Sequence, residues 1–347
     1  MIDTLGPVRL MPDNFTPPSR TPWGGRKIRT HYKAGLGLAP SEEVVGESWE
    51  ISVEPSFPSR LAGGGPSLAE VIEGAPLAWL GASTLQRYGP QTPLLVKLLD
   101  TSANLSVQVH PEDGDPALKP GESGKPEAWV VLEAEPGAGL YLGFRDGVTR
   151  ADVEGCLADQ GPLDQLMNFV PVGSGDAFVI AAGTAHAIGA GLTLLEPQIV
   201  RPGARGLTYR FWDWNRRYDA AGKQDPGGEP RTLHVERSLA VTDWDGPRGD
   251  AFVQSCRAST QNLGVEGWDR VLDWPWFRVD RWRGSGAFPG PQGGVMAHLT
   301  CTQGRLDLHG EWGIFTLRQG ESAVVPAVAE VSGITGHEVE AFAAYCG

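Results

Sequence analysis

Apolar and polar residues alternate with period two through Leu105-Ser106-Val107-Gln108-Val109-His110-Pro111, the pattern of a half-buried strand. Ser106, Gln108 and His110 share one face of that strand, and Val107 and Val109 share the other. A hydroxyl, an amide and an imidazole side by side make poor core and good lining for a wet pocket or a metal site. A related pattern recurs at Lys125-Pro126-Glu127, immediately before the apolar run Ala128 to Leu132. His186 follows the run Ala177 to Ala182. One glutamine, two histidines and one glutamate, all at strand ends, point to a metal centre inside a β-barrel.

The rest of the chain reads as short strands separated by Gly, Pro and Asp turns. Strands are expected at 47–52, 93–99, 104–110, 127–133, 140–144, 176–180, 192–195 and 207–214. Ser67 followed by Glu70 is a capping box and starts a short helix. A second short helix is expected at 76–80 and another at 233–241. Val153, Leu157, Leu163, Leu166 and Phe169 recur at helical spacing across 149–169, broken at Gln160-Gly161-Pro162, which predicts two short helices. The polar, Gly- and Pro-rich stretch 218–231 reads as a loop. Further strands are expected at 277–282, 295–301, 305–308, 314–317 and 322–325. Alternation through Thr208 to Trp214 groups Arg210 with Trp212 and Trp214.

The layout glycine, acidic residue, strand and small-residue turn occurs twice, at Gly175-Asp176 leading to His186 and at Gly320-Glu321 leading to Ala327 to Glu330. The second copy has no histidine where His186 falls. His298 and His309 lie in the same region, but no Gln-x-His or Lys-x-Glu element accompanies them. These features predict two related barrels: a metal-bearing unit over 1–245 with small helical segments, and a metal-free barrel over 250–347.

Composition narrows the partners. The 347 residues carry a formal charge of -13, so bulk electrostatics would not hold the chain on nucleic acid or anionic lipid. An anionic small molecule would need a local cluster of cations acting against that field. Four widely spaced cysteines without a C-x-x-C pair fit a reducing compartment better than a disulfide scaffold. No secretory leader or membrane-spanning run is read from the sequence. The expectation is a cytoplasmic protein, monomeric or weakly homo-oligomeric. The 47 glycines and 28 prolines suit a mainly β fold rather than a helical one.

Trp23-Gly24-Gly25, Gly46 to Ser52, Pro93 to Asp100, Leu105 to Pro111, Gly124 to Trp129, Gly183 to Gly189, Leu195 to Gln198, Thr208 to Arg210 and Leu233 to Val235 occur in the order found in one family. With them, the sequence resembles the type I mannose-6-phosphate isomerases, zinc-dependent members of the cupin superfamily. The resemblance runs through roughly the first 240 residues and is weaker over the last hundred. It implies two cupin-type jelly-roll barrels, one Zn2+ per chain held by Gln108, His110, Glu127 and His186, and an essential arginine at Arg210. It further implies phosphate- or sugar-contacting roles for Ser106 and Lys125, an acidic group at Glu196 and a pocket lysine at Lys97. The implied reaction interconverts mannose 6-phosphate and fructose 6-phosphate through a cis-enediol, with Arg210, Lys125 and Glu196 as catalytic groups. Ser106, Lys97, Lys125 and Arg210 would contact the phosphorylated hexose. Pro126 stands where the family commonly has Thr. The segment between Glu196 and Arg210 is a few residues longer than in compact bacterial members and adds Arg201 and Arg205. The alternatives are isomerisation of another phosphorylated aldose and a non-catalytic sugar-binding cupin. An iron oxygenase on the same scaffold fits poorly with an amide ligand.

Overall fold

A computed structural model describes residues 5–347. Its backbone is organised by one sheet that is covered on both faces. This central sheet runs, edge to edge, Glu47–Ile51, Leu94–Asp100, Leu192–Ile199, Glu127–Ala134 and Ala177–Ile180. Every residue of Leu94–Asp100 and of Leu192–Ile199 is buried, as expected of strands covered from two sides. Leu94, Val96, Leu98, Ala128, Val130, Leu132 and Leu195 point one way, into a cluster that includes Val271, Phe277, Val279, Val324 and Phe342. Leu99, Trp129, Val131 and Leu194 point the other way, against Leu140, Leu142, Val170 and Ile188.

The second set comes from a five-stranded sheet ordered Tyr209–Trp212, Val107–Val109, His186–Ile188, Gly139–Phe144 and Met167–Pro171. The first comes from an eight-stranded sheet. Its path is Val8–Arg9, Ser322–Val325, Ala297–Gly310, Gly333–Cys346, Phe277–Phe288, Trp268–Trp274 and Gln261–Val265, with Gly313–Arg318 paired to Ala297–Gly310. The result is three layers of sheet, flanked beside the central and eight-stranded sheets by the helices Leu68–Gly74, Pro76–Leu80 and Ala82–Tyr88. The Ser67 capping box forms as expected, with Glu70 as its partner.

The mainly β expectation holds, but the two jelly-roll barrels do not form. Each sheet is an open path whose first and last strands are not hydrogen-bonded to one another. Closure needs a continuous ladder of tilted, staggered strands. Here Val107–Val109 and His186–Ile188 are three residues long, and Pro93 and Pro126, next to strand starts, offer no N–H for a further ladder bond. The layers therefore pack face to face and leave a polar space between two of them.

Three local readings are also corrected. The two short helices expected within 149–169 form as Arg150–Ala158 and the 3-10 helix Leu163–Leu166, but the second ends before Phe169. Phe169 lies instead on the strand Met167–Pro171, where Asn168 Nδ2 donates to the carbonyls of Leu142 and Phe144. The strands expected at 295–301 and 305–308 are one strand, Ala297–Gly310. Gly304 carries it through a bulge at φ +66°, where an added Cβ would lie 2.3 Å from the Glu338 carbonyl oxygen. No strand is expected beyond residue 325, yet Gly333–Cys346 forms one long strand. Gly336 sits where a Cβ would meet Val339 and Phe288 under 3.0 Å away, a close approach rather than an interruption.

A buried ion pair lies where the central sheet meets the eight-stranded one. Lys33 Nζ lies 2.7 Å from Glu50 Oε1, and both side chains are 1% exposed. Ser48 and Ser322 hydroxyls donate to the same carboxylate, each at 2.6 Å, and the ammonium also donates to the Pro12 carbonyl. Satisfying every partner is what makes such a pair tolerable in the interior. Among the described residues, no helix is long and apolar enough to cross a membrane.

Leu98→Ala removes a fully buried side chain between the central and eight-stranded sheets. Its cost is expected at about 2–5 kcal/mol, read as a lower urea midpoint with an unchanged m-value.

Candidate metal centre and pocket

The site lies between the central sheet and the five-stranded sheet. On the latter, alternation works as the sequence implies: Val107 and Val109 pack with Phe144, Tyr209 and Phe211, and Ser106 and Gln108 turn to the interior pocket. His186, Gln108 and Arg210 stand in one row across three neighbouring strands. The central sheet supplies Glu127 and Gln198, which face each other in register, and the row Trp49, Lys97 and Glu196.

His110, Glu127 and His186 meet at the floor. Their candidate ligand atoms all lie within 4.8 Å of one another, and all three side chains are at most 1% exposed. His110 Nδ1 donates to the Leu207 carbonyl at 2.9 Å, and His186 Nδ1 donates to the Thr184 carbonyl at 2.8 Å. A carbonyl only accepts, so each Nδ1 carries the proton and each Nε2 presents a lone pair. Those lone pairs face the Glu127 carboxylate at 3.3 and 3.2 Å. Both Nε2 atoms and Glu127 Oε1 have no hydrogen-bond partner.

Three buried electron-rich atoms pointed at one another are repulsive unless a cation lies among them. The donor set therefore fits a metal ion, and the carbonyl-anchored imidazoles are the usual support for metal-binding histidines. Burial, reinforced by the Lys125 charge, pushes the His110 pKa down to about 3, which keeps the ring neutral. Burial opposes ionisation of Glu127, but Lys125 and the histidines overcome it and hold its pKa well below the usual range. Glu127 Oε2 is held by Lys125 Nζ and by Gln198 Nε2, each at 2.9 Å. That leaves Oε1 directed at His186.

Above this floor opens a cavity of about 810 Å³. Lys97 stands 3.5 Å from Glu196 and 3.7 Å from Glu47, with its ammonium 4.6 Å from the Trp49 ring centre. Glu196 also accepts from Trp129 Nε1 at 3.1 Å. Burial first, and then the charge of Glu127, raise the Glu196 pKa. Arg210 donates through Nε to Ser106 Oγ at 3.2 Å and through its terminal nitrogen to the Thr232 carbonyl at 2.7 Å. Burial, and then Arg231, lower its pKa to about 10, which leaves it charged at neutral pH.

The expected grouping of Arg210 with Trp212 and Trp214 fails. A bulge between Arg210 and Trp212 breaks the alternation. Arg210 turns to the cavity, and Trp212 joins the apolar cluster containing Tyr209 and Phe211.

All nine residues singled out from the sequence thus come to the floor or wall of one site. Gln198, Glu47, Trp49, His234, Arg20, Arg231 and Arg237 also line it and were not anticipated. Gln198 was within reach, since it follows Glu196 by two residues on one strand and so shares its face. Arg20 and Arg237 arrive from segments with no periodic signal. Of the histidines in the eight-stranded sheet, His298 is buried with Nε2 3.4 Å from Thr92 Oγ1, and His309 Nε2 lies 2.9 Å from Thr335 Oγ1.

A family model described as "Phosphomannose isomerase type I, catalytic domain" matches residues 19–134. A mannose-6-phosphate isomerase of Streptococcus mutans serotype c is 31% identical over 312 residues, covering 88% of each chain. The chain belongs to the type I mannose-6-phosphate isomerase family. The crystal structure of the mannose 6-phosphate isomerase from Bacillus subtilis has the same fold, with a TM-score of 0.80 and 24% identity over 98% of this chain and 99% of that one. A zinc-bound, holo mannose 6-phosphate isomerase superposes with a TM-score of 0.71 at 18% identity, covering 99% of this chain and 100% of that one. The chain is a metal-dependent enzyme of this family, with His110, Glu127 and His186 as its candidate metal cluster.

Gln198→Leu removes the amide that fixes Glu127 Oε2 without touching a ligand atom. Metal affinity is expected to fall about 10–100-fold, measured by competition against a chromogenic chelator.

Proposed function

We propose that this protein interconverts D-mannose 6-phosphate and D-fructose 6-phosphate at the cavity above His110, Glu127 and His186. The observation that carries the reading is the buried trio of unsatisfied donor atoms beneath a cavity lined by eight lysines and arginines and four glutamates. That local excess of positive charge opposes the net -13 of the chain and suits a dianionic sugar phosphate. The metal is proposed to be zinc, one per chain, held by Gln108, His110, Glu127 and His186. Zinc bound there would supply electrophilic stabilisation of the negative charge that develops on the sugar oxygens.

The side chains divide the remaining work. In the open-chain aldose the C2–H bond breaks and its proton passes to a carboxylate. Glu196, buried on the cavity wall and oriented by Trp129 and Lys97, is proposed as that base. The electron pair forms the C1–C2 double bond of a cis-enediol, and Lys125 delivers a proton to the former carbonyl oxygen. Return of the proton from Glu196 to C1, with loss of the O2 proton to Lys125, gives the ketose. Arg210 is a permanently charged planar donor and holds the oxygens while charge resides on them. Ser106 orients Arg210 and contacts the substrate, and Lys97 binds a substrate oxygen beside Glu196. Residues 250–347 are proposed as a metal-free unit that braces the catalytic part over 1–245.

Conversion is followed by proton NMR with mannose 6-phosphate and with other phosphorylated aldoses. Preferential turnover of mannose 6-phosphate is expected, and its absence with the metal-loaded protein overturns the reading. His186→Ala is expected to lose metal and turnover together, and a full metal complement in that variant removes His186 from the ligand set. Arg210→Lys keeps the charge but loses the fork of donors, so kcat is expected to fall about 10²–10³-fold with metal content unchanged by elemental analysis.

A further inference from the structure

The eight cations of the cavity are not equally free. Lys97 is paired with Glu47 and Glu196, Lys125 with Glu127, Arg205 with Glu122, Arg231 with Asp213 and Arg237 with Asp115. Among the described residues, Arg20, Lys119 and Arg210 have no carboxylate within 4.0 Å. Arg210 is committed to Ser106 and the Thr232 carbonyl beside Gln108. Lys119 rests on no aromatic ring. Arg20 differs from both: its guanidinium carbon lies 5.3 Å from the Trp49 ring centre and 4.8 Å from that of Phe57. The two rings are themselves packed 5.1 Å apart. Stacking fixes the plane of the fork and leaves its N–H groups unspent, since the side chain makes no hydrogen bond within the described residues.

The position suits the far end of a substrate. Trp49, Lys97 and Glu196 stand in register on three adjacent strands, and the strand of Glu127 is the next one over. Three strand spacings of about 4.8 Å separate the edge that carries Trp49 from the strand that carries Glu127. With side chains reaching in from both ends, an open six-carbon chain with its reacting carbons over the metal centre carries its terminal phosphate toward the Trp49 edge. Lys125 is buried against Glu127 at 2.9 Å, so its charge is already used at the opposite end.

We propose that Arg20, stacked on Trp49 and Phe57, is the specificity residue that receives the phosphate of the substrate in a two-pronged contact. This rests on the sugar-phosphate reaction proposed above. Arg20 is no catalytic residue, because it stands away from the carbons that exchange the proton.

The test uses the full-length, metal-loaded enzyme and two readouts. With mannose 6-phosphate, Arg20→Gln is expected to raise KM about 10–100-fold with a much smaller change in kcat, and Arg20→Lys is expected to fall between it and the parent. With inorganic phosphate as a non-reacting probe, calorimetry is expected to show weaker binding by a similar factor. Arg20→Met keeps an apolar stem on the two rings and separates packing from charge; it is expected to behave like Arg20→Gln. An unchanged KM and phosphate affinity in folded Arg20→Gln overturns the proposal, as does a variant that loses kcat and KM equally. Phosphate binding is read without turnover, so a parent enzyme that binds phosphate through Arg20 yet isomerises no phosphorylated aldose refutes the reaction and not the anion site.

Discussion

Everything in the catalytic half follows from placing one carboxylate, Glu127, where water cannot reach it. A buried charge is costly unless paired and hydrogen-bonded, and each neighbour of Glu127 answers part of that requirement. Lys125 and Gln198 hold one oxygen. The other faces His186, and His110 approaches the first; backbone carbonyls draw the protons of both imidazoles to the opposite side. This leaves a small volume of negative potential suited to a metal cation. The two sheets are close enough to make the trio and open enough at one side to admit a sugar, and an open path of strands permits both better than a sealed barrel.

Much of this was legible in the sequence because it is local. The period-two run from Leu105 to Pro111 states which side chains share a face, and the backbone obeys it. The Ser67–Glu70 cap and the apolar strands around residues 94–99 and 127–133 are likewise short-range facts. The errors arise where a residue's meaning is set from a distance. The strand Gly333–Cys346 shows no signal of its own until Phe277–Phe288 and Ala297–Gly310 are seen to pair with it. Arg210 reads as a partner of Trp212 until a bulge, invisible to alternation, rotates one away from the other. Closure of a sheet depends on whether its two edges meet, and no stretch of sequence reports that.

The same distinction applies to the cavity wall. Gln108, His110, Glu127 and His186, at the ends of strands, were found by pattern. Residues delivered by irregular segments, such as Arg20 before the Trp23-Gly24-Gly25 turn and His234 before the helix Val235–Val241, were not. His234 receives the backbone N–H of Arg210 on Nδ1 at 3.1 Å, and its own N–H donates to the Arg210 carbonyl at 2.8 Å. Loops thus finish what the sheets begin, in keeping with the concentration of binding groups on connections held by a rigid scaffold.

The order of strands in the eight-stranded sheet has a consequence for synthesis. Gly333–Cys346 lies between Ala297–Gly310 and Phe277–Phe288, and Val8–Arg9 closes the same sheet at one edge. A nascent chain therefore makes an outer strand of this layer near the start and one of its inner strands more than 300 residues later. Until that strand leaves the ribosome, the layer is split into two unpaired halves and the greasy outer face of the central sheet has no lasting cover. The metal-binding sandwich can assemble early, but it does so with one apolar side exposed to solvent or a chaperone. Premature stops and frameshifts late in the gene would spare every active-site residue and still yield an aggregation-prone product.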